Sequence, residues 1–171
     1  MKTRDMVLIA MMSVIICLCS WLNIAIFTPV PFTMQTFGVF CAMLLLGGKR
    51  GMIAVLLYIG LGLFGLPVFS NFNSGPGALF GPTGGYILGF ILMAALYWLL
   101  EKRMNKVLLL VLGLILLYAF GTLWFVRVYS IQGSVISVGG ALMSCVLPFV
   151  LPDAAKLFLA TVLCKRLGKK I

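Results

Sequence analysis

Apolar stretches of roughly membrane-spanning length run through most of this 171-residue chain. A helix needs about 17–25 mainly apolar residues to cross a bilayer. Hydrophobic residues make up 63% of the chain and charged residues only 9%, whereas roughly a quarter of the residues of a soluble domain are charged. The sequence therefore predicts an integral membrane protein of the all-α class, and it excludes an ordinary soluble domain.

Six of these stretches are predicted to be transmembrane helices. They cover residues 6–27, 33–47, 51–66, 85–100, 107–126 and 152–167. The second and third are near the lower length limit, so they would cross with little tilt. The sixth is predicted to begin at Pro152, because a proline at the first helical position loses no hydrogen bond. The apolar residues before it, from 134 onward, are predicted to form a re-entrant or outer connecting segment. The whole is one compact bundle over residues 1–171.

The basic residues predict the orientation of this bundle. The chain has 13 Lys and Arg against three acids, a net charge of +10. They flank the helices on one side, at Lys2, Arg4, Lys49, Arg50, Lys102, Arg103, Lys106, Lys165, Arg166, Lys169 and Lys170, whereas the loops on the other side carry only Arg127. Because cytoplasmic loops carry the excess of Lys and Arg, both termini are predicted to be cytoplasmic, with some attraction to anionic lipid. Nucleic-acid binding is not expected.

Two charged residues interrupt the last apolar segment. Asp153 and Lys156 are three residues apart and therefore share a helix face. Lys156 lies about 13 Å along the helix from Lys165, roughly at mid-depth, where a charge is costly and needs a partner or a wet cavity. One interpretation is a helix-start pair, with Asp153 at the positive end of the helix dipole. The other is a polar pocket open to the outside in which the pair binds a ligand, and both can hold together.

A long uncharged segment over residues 66–90 is the second candidate for a binding element. It is rich in Gly, Pro, Ser and Asn. The roughly 18 residues before the fourth predicted helix are long for a plain connector, and a loop of that length is typical of a lid or binding loop. Asn71 and Asn73 offer amide donors and acceptors, and Tyr86 is one of its aromatic side chains. This mixture suits a small cyclic ligand with an amide-like edge.

A third stretch, residues 28–40, combines an outer turn with polar groups. Two prolines stiffen the turn, and Gln35 and Thr36 follow at the top of the second helix. A hydroxyl at a helix start is often a cap, so capping is the alternative role for Thr36.

The sequence offers little for catalysis or cofactor binding. It has no His, and no second carboxylate lies in the membrane segments to pair with Asp153. The five cysteines have no metal-binding spacing and are interpreted as small packing residues. The segment "GGKRG" lacks the spacing and hydroxyl of a phosphate-binding loop. We therefore expect no catalytic residue, no metal and no cofactor in this chain, and we do not expect an enzyme.

Four motifs in the same order along the chain carry a resemblance to a known family. They are "PVPFTMQTFGVF", "GGKRGMIAVLLYIGLGLFGLPVF", "GPTGGYILGF" and "LPFVLPDAAK". Together they resemble BioY, the biotin-specific substrate-binding component of energy-coupling factor transporters. The resemblance implies a six-helix protein of the cell membrane that captures biotin from outside. It also implies a transmembrane coupling subunit and two cytoplasmic ATPase subunits as partners, with ATP used by those ATPases.

The resemblance also implies roles for individual residues. Asp153 and Lys156 match the family's Asp–x–x–Lys in the biotin pocket, where Asp153 would accept hydrogen bonds from ureido N–H groups. Lys156 would donate to the ureido oxygen or lie near the carboxylate. Further implied ligand contacts are Asn71 or Asn73, Tyr86, Gln35 and Thr36.

Helix 1 of such components often carries an Ala–x–x–x–Ala face for the coupling subunit. Here that pattern is degraded, and Ser13 and Cys17 preserve only small-x-x-x-small packing. The resemblance implies a coupling-subunit interface at Ala10, Ser13 and Cys17.

Two other functions are compatible with the residues. A stand-alone or proton-coupled carrier could use Asp153 as its coupling site, and a vitamin other than biotin would fit the same class of protein. An intramembrane enzyme would need to turn over its ligand. Dependence of uptake on ATP separates the leading hypothesis from the carrier.

Overall fold

The computed structural model describes residues 2–24, 30–133 and 136–167, and these residues are almost entirely helical. The helices are α1 (Thr3–Trp21), α2 (Gln35–Leu46), α3 (Gly48–Leu63), α4 (Gly75–Phe80), α5 (Gly84–Leu100), α6 (Lys106–Ile131), α7 (Val138–Cys145) and α8 (Leu147–Leu167). A 3₁₀ turn covers Ser70–Phe72, and the short strands β1 (Asn23–Ile24) and β2 (Phe32–Thr33) pair antiparallel. The predicted all-α class is confirmed.

Three of the described helices are long and apolar enough to cross a membrane. They are α1, α6 and α8, while α2 and α5 are shorter apolar helices. The chain is therefore a multi-pass membrane protein. The predicted count of six crossings with cytoplasmic termini stays a prediction. Helix α1 ends at Trp21 rather than at the predicted residue 27, and residues 25–29 lie outside the described part of the chain.

The last helix begins five residues earlier than predicted. Helix α8 starts at Leu147 and contains Pro152 in its interior, so the prediction of a start at Pro152 is wrong. A proline costs no hydrogen bond in the first helical turn, and here Pro148 occupies that turn. The segment before α8, predicted to be a connecting or re-entrant segment, contains α7, and Val146 alone separates the two helices.

Small residues bring α5 and α6 into close contact along their length. A Cβ on Gly113 would lie within 2.5 Å of Met93 Cγ, and a Cβ on Gly121 would overlap the ring of Tyr86. Only a residue without a side chain allows these helices to approach so closely, as in other membrane helix pairs. The packing therefore holds Tyr86 in a fixed position.

Charged residues gather at one end of the bundle, here called the basic end and comprising residues 2–5, 47–50, 101–106 and 165–167. An ion pair joins Arg50 to Asp5 with Nη2 and Oδ1 3.3 Å apart. The backbone N–H of Gly48 donates to Glu101 Oε2 at 2.6 Å. The carboxylate of Glu101 thus satisfies one of the otherwise unpaired amides at the start of α3 and ties that helix to the end of α5.

The approach of α3 to α5 predicts unequal effects for two glycines of the same helix. A Cβ on Gly48 would overlap the backbone Cα of Trp98, whereas a Cβ on Gly60 would meet nothing within 4 Å. We expect Gly48→Ala to lower the free energy of unfolding by about 1–3 kcal/mol, and Gly60→Ala to be neutral or stabilising by up to about 1 kcal/mol. Thermal melting in detergent measures both, and equal melting temperatures would contradict the described contact.

Candidate functional site

A cavity opens in the half of the bundle away from the basic end. It lies where β2 and the starts of α2 and α5 meet the middle of α6 and the first half of α8. Its walls are formed by Val30, Pro31, Thr33, Gln35, Thr36, Ser70, Thr83, Tyr86, Ile87, Phe90, Leu117, Tyr118, Cys145, Phe149, Asp153 and Lys156. Its volume of about 60 Å³ has room for a few water molecules, because each needs roughly 10–15 Å³.

The carboxylate of Asp153 joins three helices at the wall of this cavity. Its side chain is buried, and Oδ1 accepts hydrogen bonds from Thr36 Oγ1 and Lys156 Nζ, both at 2.8 Å. Oδ2 accepts from the hydroxyl of Tyr118 at 2.6 Å. A carboxylate has about four lone-pair sites. The described residues occupy three of them, which leaves one acceptor position on Oδ2 for a donor in the cavity.

The ammonium of Lys156 is equally well partnered. It is 4% exposed, and besides Asp153 it donates to the backbone carbonyl of Thr33 at 2.6 Å. Nζ also lies 4.2 Å from the ring centroid of Phe32, where a cation is attracted by the ring face. An ammonium has three N–H donors, and two have acceptors among the described residues. The third can serve an acceptor in the cavity.

The structure bears on one of the two interpretations of the charged pair, the helix-start role, while ligand binding by the pair stays a prediction. Asp153 and Lys156 do form an intrahelical ion pair and both line the cavity. Asp153 is the seventh residue of α8, however, whereas the effect of the helix dipole is confined to the first turn. The predicted helix-start role for Asp153 is therefore wrong.

The predicted polar residues of α2 and α5 also reach the cavity. Gln35 accepts from Thr33 Oγ1 at 3.0 Å and donates to the hydroxyl of Tyr58. Thr36 donates to Asp153, and its alternative role as a helix cap is wrong because Met34 is the N-cap residue and Thr36 is the second residue of α2. The hydroxyl of Tyr86 lies 3.3 Å from Thr122 Oγ1. The structure thus brings these residues together with the charged pair.

The two asparagines of residues 66–90 lie away from the cavity. Asn71 and Asn73 are exposed and do not line the cavity, and Ser70 is the residue of their turn that does. Asn71 has a φ of +57°, a left-handed conformation that Asn adopts more readily than most residues. A contact of either asparagine with ligand stays a prediction.

The three residues predicted to form a coupling-subunit interface differ in how deeply they are buried. Ser13 is 0% exposed and Cys17 is 7% exposed, on the face of α1 that packs inside the bundle with Ile9 and Ile16. Because both side chains are buried within the chain's own bundle, they do not face another subunit in this structure. Ala10 is exposed and stays in the prediction.

Sequence reasoning missed Tyr118. Its hydroxyl makes the bond that links α6 to the carboxylate of Asp153. Tyr118 and Thr122 are one turn apart in a helix that is otherwise apolar over most of its length, and both turn toward this region of the bundle. That pair of hydroxyls on one face was the available signal.

Comparisons with known proteins agree on one family. The model of the BioY family matches residues 1–171. The biotin transporter BioY of Thermotoga maritima is 39% identical over 170 residues, which cover 97% of this chain and 96% of that protein. A probable biotin transporter BioY of Pyrococcus horikoshii is 33% identical over 167 residues, 98% of each. A crystal structure of the S-component for biotin from an ECF-type ABC transporter superposes with a TM-score of 0.85 at 30% identity, covering 99% of this chain and 95% of that one. These relatives are transporters rather than enzymes.

The buried ion pair predicts that substitutions of Asp153 and Lys156 have non-additive effects on the stability of the ligand-free protein. Asp153→Ala leaves Lys156 buried without its carboxylate, which we expect to lower the free energy of unfolding by about 3–5 kcal/mol. The double variant Asp153→Ala/Lys156→Met removes both charges and should recover much of that loss. Leu151→Ala, at an 82% exposed position of the same helix, is the control. Melting of ligand-free protein in detergent tests this, and a double variant no more stable than Asp153→Ala alone would contradict it.

Proposed function

This chain belongs to the BioY family, and from that membership we propose that it captures biotin from outside the cell as the substrate-binding subunit of an energy-coupling factor transporter in the cell membrane. The observation that carries the proposal is the buried pair of Asp153 and Lys156 on the wall of a cavity. Because charges buried in a membrane helix are costly, such a pair supports the hypothesis of a functional site.

The polar edge of biotin matches the hydrogen-bonding capacity of the pair. The ureido group offers two N–H donors and one carbonyl oxygen. The remaining acceptor position on Asp153 Oδ2 suits one ureido N–H, and the remaining donor of Lys156 suits the ureido oxygen or the valerate carboxylate. The second ureido N–H needs another acceptor, and Ser70 and Thr83, which carry hydroxyls, also line the cavity.

The rest of the ligand would meet apolar walls. Ile87, Phe90, Leu117 and Phe149 line the cavity, and burial of the thiophane ring and valeryl chain against them gains about 25 cal/mol per Å². That gain must exceed the cost of removing the polar groups from water, which is small only when each finds a partner. Because biotin is larger than a few water molecules, its entry requires the walls to move apart. The turn at Ser70, which continues into the exposed residues 71–73, is the wall that we expect to move.

We propose that energy for uptake comes from other subunits. A transmembrane coupling subunit and two cytoplasmic ATPase subunits would work with this chain, and ATP would bind to the ATPases. The similarity to an S-component from an ECF-type ABC transporter supports this arrangement. Ala10, exposed on α1, is the residue that we retain in the proposed contact with the coupling subunit.

Titration of the purified protein with biotin tests the proposed site. We expect Asp153→Asn and Lys156→Met to weaken binding by roughly 5- to 150-fold, since each leaves a ligand group without its charged partner, at about 1–3 kcal/mol. Tyr118→Phe tests the residue that holds Asp153, and the exposed Arg127→Gln, outside the cavity, is the matched control. Melting curves identify variants that fail to fold.

The outcomes of this titration separate the site from the substrate. If folded parent and cavity variants bind biotin equally, the assignment of Asp153 and Lys156 is wrong. If the parent binds no biotin, the substrate is wrong. Asn71→Gly and Asn73→Ala in the same titration decide whether the exposed asparagines contact the ligand, and a parent-like affinity of both would remove them from the site.

A second experiment tests the energy source. We expect uptake of labelled biotin by cells that contain this chain, the coupling subunit and the ATPases to stop on ATP depletion, because binding alone does not drive accumulation. The control is the same cell lacking the coupling subunit. Uptake that persists without ATP and follows an imposed proton gradient would instead support a proton-coupled carrier with Asp153 as its coupling site.

A further inference from the structure

A groove at the basic end lies between the starts of α1 and α3 and the end of α2. Three cations surround its mouth, Lys2, Arg4 and Arg50, together with one acid, Asp5. Arg50 is paired with Asp5. Within the described residues, Lys2 and Arg4 are exposed and form no salt bridge. The mouth of the groove therefore has a net charge of about +2, and two of its cations are available to an anion.

The other walls of the groove are apolar. Leu8, Leu45 and Leu46 line it and are partly buried. The face of α1 that carries Leu8 continues three and seven residues later with Met11 and Ile15, which are 56% and 37% exposed. A charged mouth is thus followed by a strip of apolar surface that runs along α1 away from the basic end.

We propose that this groove binds an anionic phospholipid, with its phosphate at Lys2 and Arg4 and an acyl chain along Leu8, Met11 and Ile15. Basic pockets between membrane helices are suited to acidic lipid headgroups, and the attraction weakens within a Debye length of the surface. The apolar strip distinguishes a lipid from inorganic phosphate. Inorganic phosphate would contact only the cations. A phospholipid would contact the cations with its headgroup and the apolar strip with its acyl chain.

Asp5, the acidic residue that lines the groove, affects how the groove would bind a phosphate. The carboxylate of Asp5 would repel a phosphate, but its ion pair with Arg50 neutralises it and connects the start of α1 to the start of α3. Lys2 and Arg4 precede Asp5 in the same turn of chain, so that ion pair also positions both cations at the mouth. Arg50 is therefore a positioning residue, whereas Lys2 and Arg4 contact the headgroup.

The test measures lipid binding by the full chain in neutral detergent. Phosphatidylglycerol, phosphatidylcholine and inorganic phosphate are compared by native mass spectrometry and by the shift in melting temperature. The groove variant is Lys2→Gln/Arg4→Gln. Its matched control is Lys102→Gln/Arg103→Gln, which removes the same charge from exposed positions of the basic end outside the groove. Met11→Ser/Ile15→Ser tests the apolar strip.

We expect phosphatidylglycerol to bind and to raise the melting temperature, with phosphatidylcholine much weaker. The groove variant should lose about tenfold or more in affinity for phosphatidylglycerol, and the control about twofold or less. The strip variant should weaken binding of the lipid but not binding of inorganic phosphate.

Equal losses in groove and control variants would overturn the proposal in favour of a general electrostatic effect. A parent-like strip variant, with inorganic phosphate reproducing the full effect, would overturn it in favour of a free-anion site. Biotin binding by these variants is measured separately, so failure here leaves the proposed function untouched.

Discussion

The arrangement of the helices depends on one ion pair that is buried where charges are costly. Taking two ions out of water has a penalty of several kcal/mol for each, and only good geometry with further hydrogen bonds offsets it. Asp153 and Lys156 obtain those bonds from Thr36, from Tyr118 and from the carbonyl of Thr33. These partners lie on α2, on α6 and on the strand before α2. Satisfying the pair therefore fixes α8 against the two other helices and shapes the cavity between them.

The two ends of the bundle use charge in opposite ways. At the basic end the charged side chains are mostly exposed, and an isolated pair such as Asp5 with Arg50 contributes little to stability. At the cavity end, among the described residues, Asp153 and Lys156 are buried and Arg127 is exposed. Exposed charges at a membrane boundary are inexpensive and orient the protein. The buried pair is expensive and lines the cavity, where the proposed ligand would meet it.

Local sequence rules predicted the features that rest on composition, and they failed where packing decides. The apolar stretches predicted most helices, and the depth of Lys156 in its segment predicted a polar site. The start of α8 was wrongly placed at Pro152, because Pro148 and Pro152 are equally good first-turn residues until the neighbouring α7 is known. Tyr118 was missed because a tyrosine in an apolar helix is also typical of ordinary packing. The burial of Ser13 follows from which helices α1 meets, and its spacing alone does not predict this.

The position of the charged pair after its partners along the chain bears on how the protein is made. A chain is synthesised from its N-terminus, so α2 and α6, which supply Thr36 and Tyr118, leave the ribosome before α8. Asp153 and Lys156 are therefore synthesised when their hydrogen-bonding partners have already been made. During translation the growing chain never has to hold this pair in lipid while its partners are still unmade. A product truncated before α8 would lack the cavity wall but would carry no unpaired charge in the bilayer from this site.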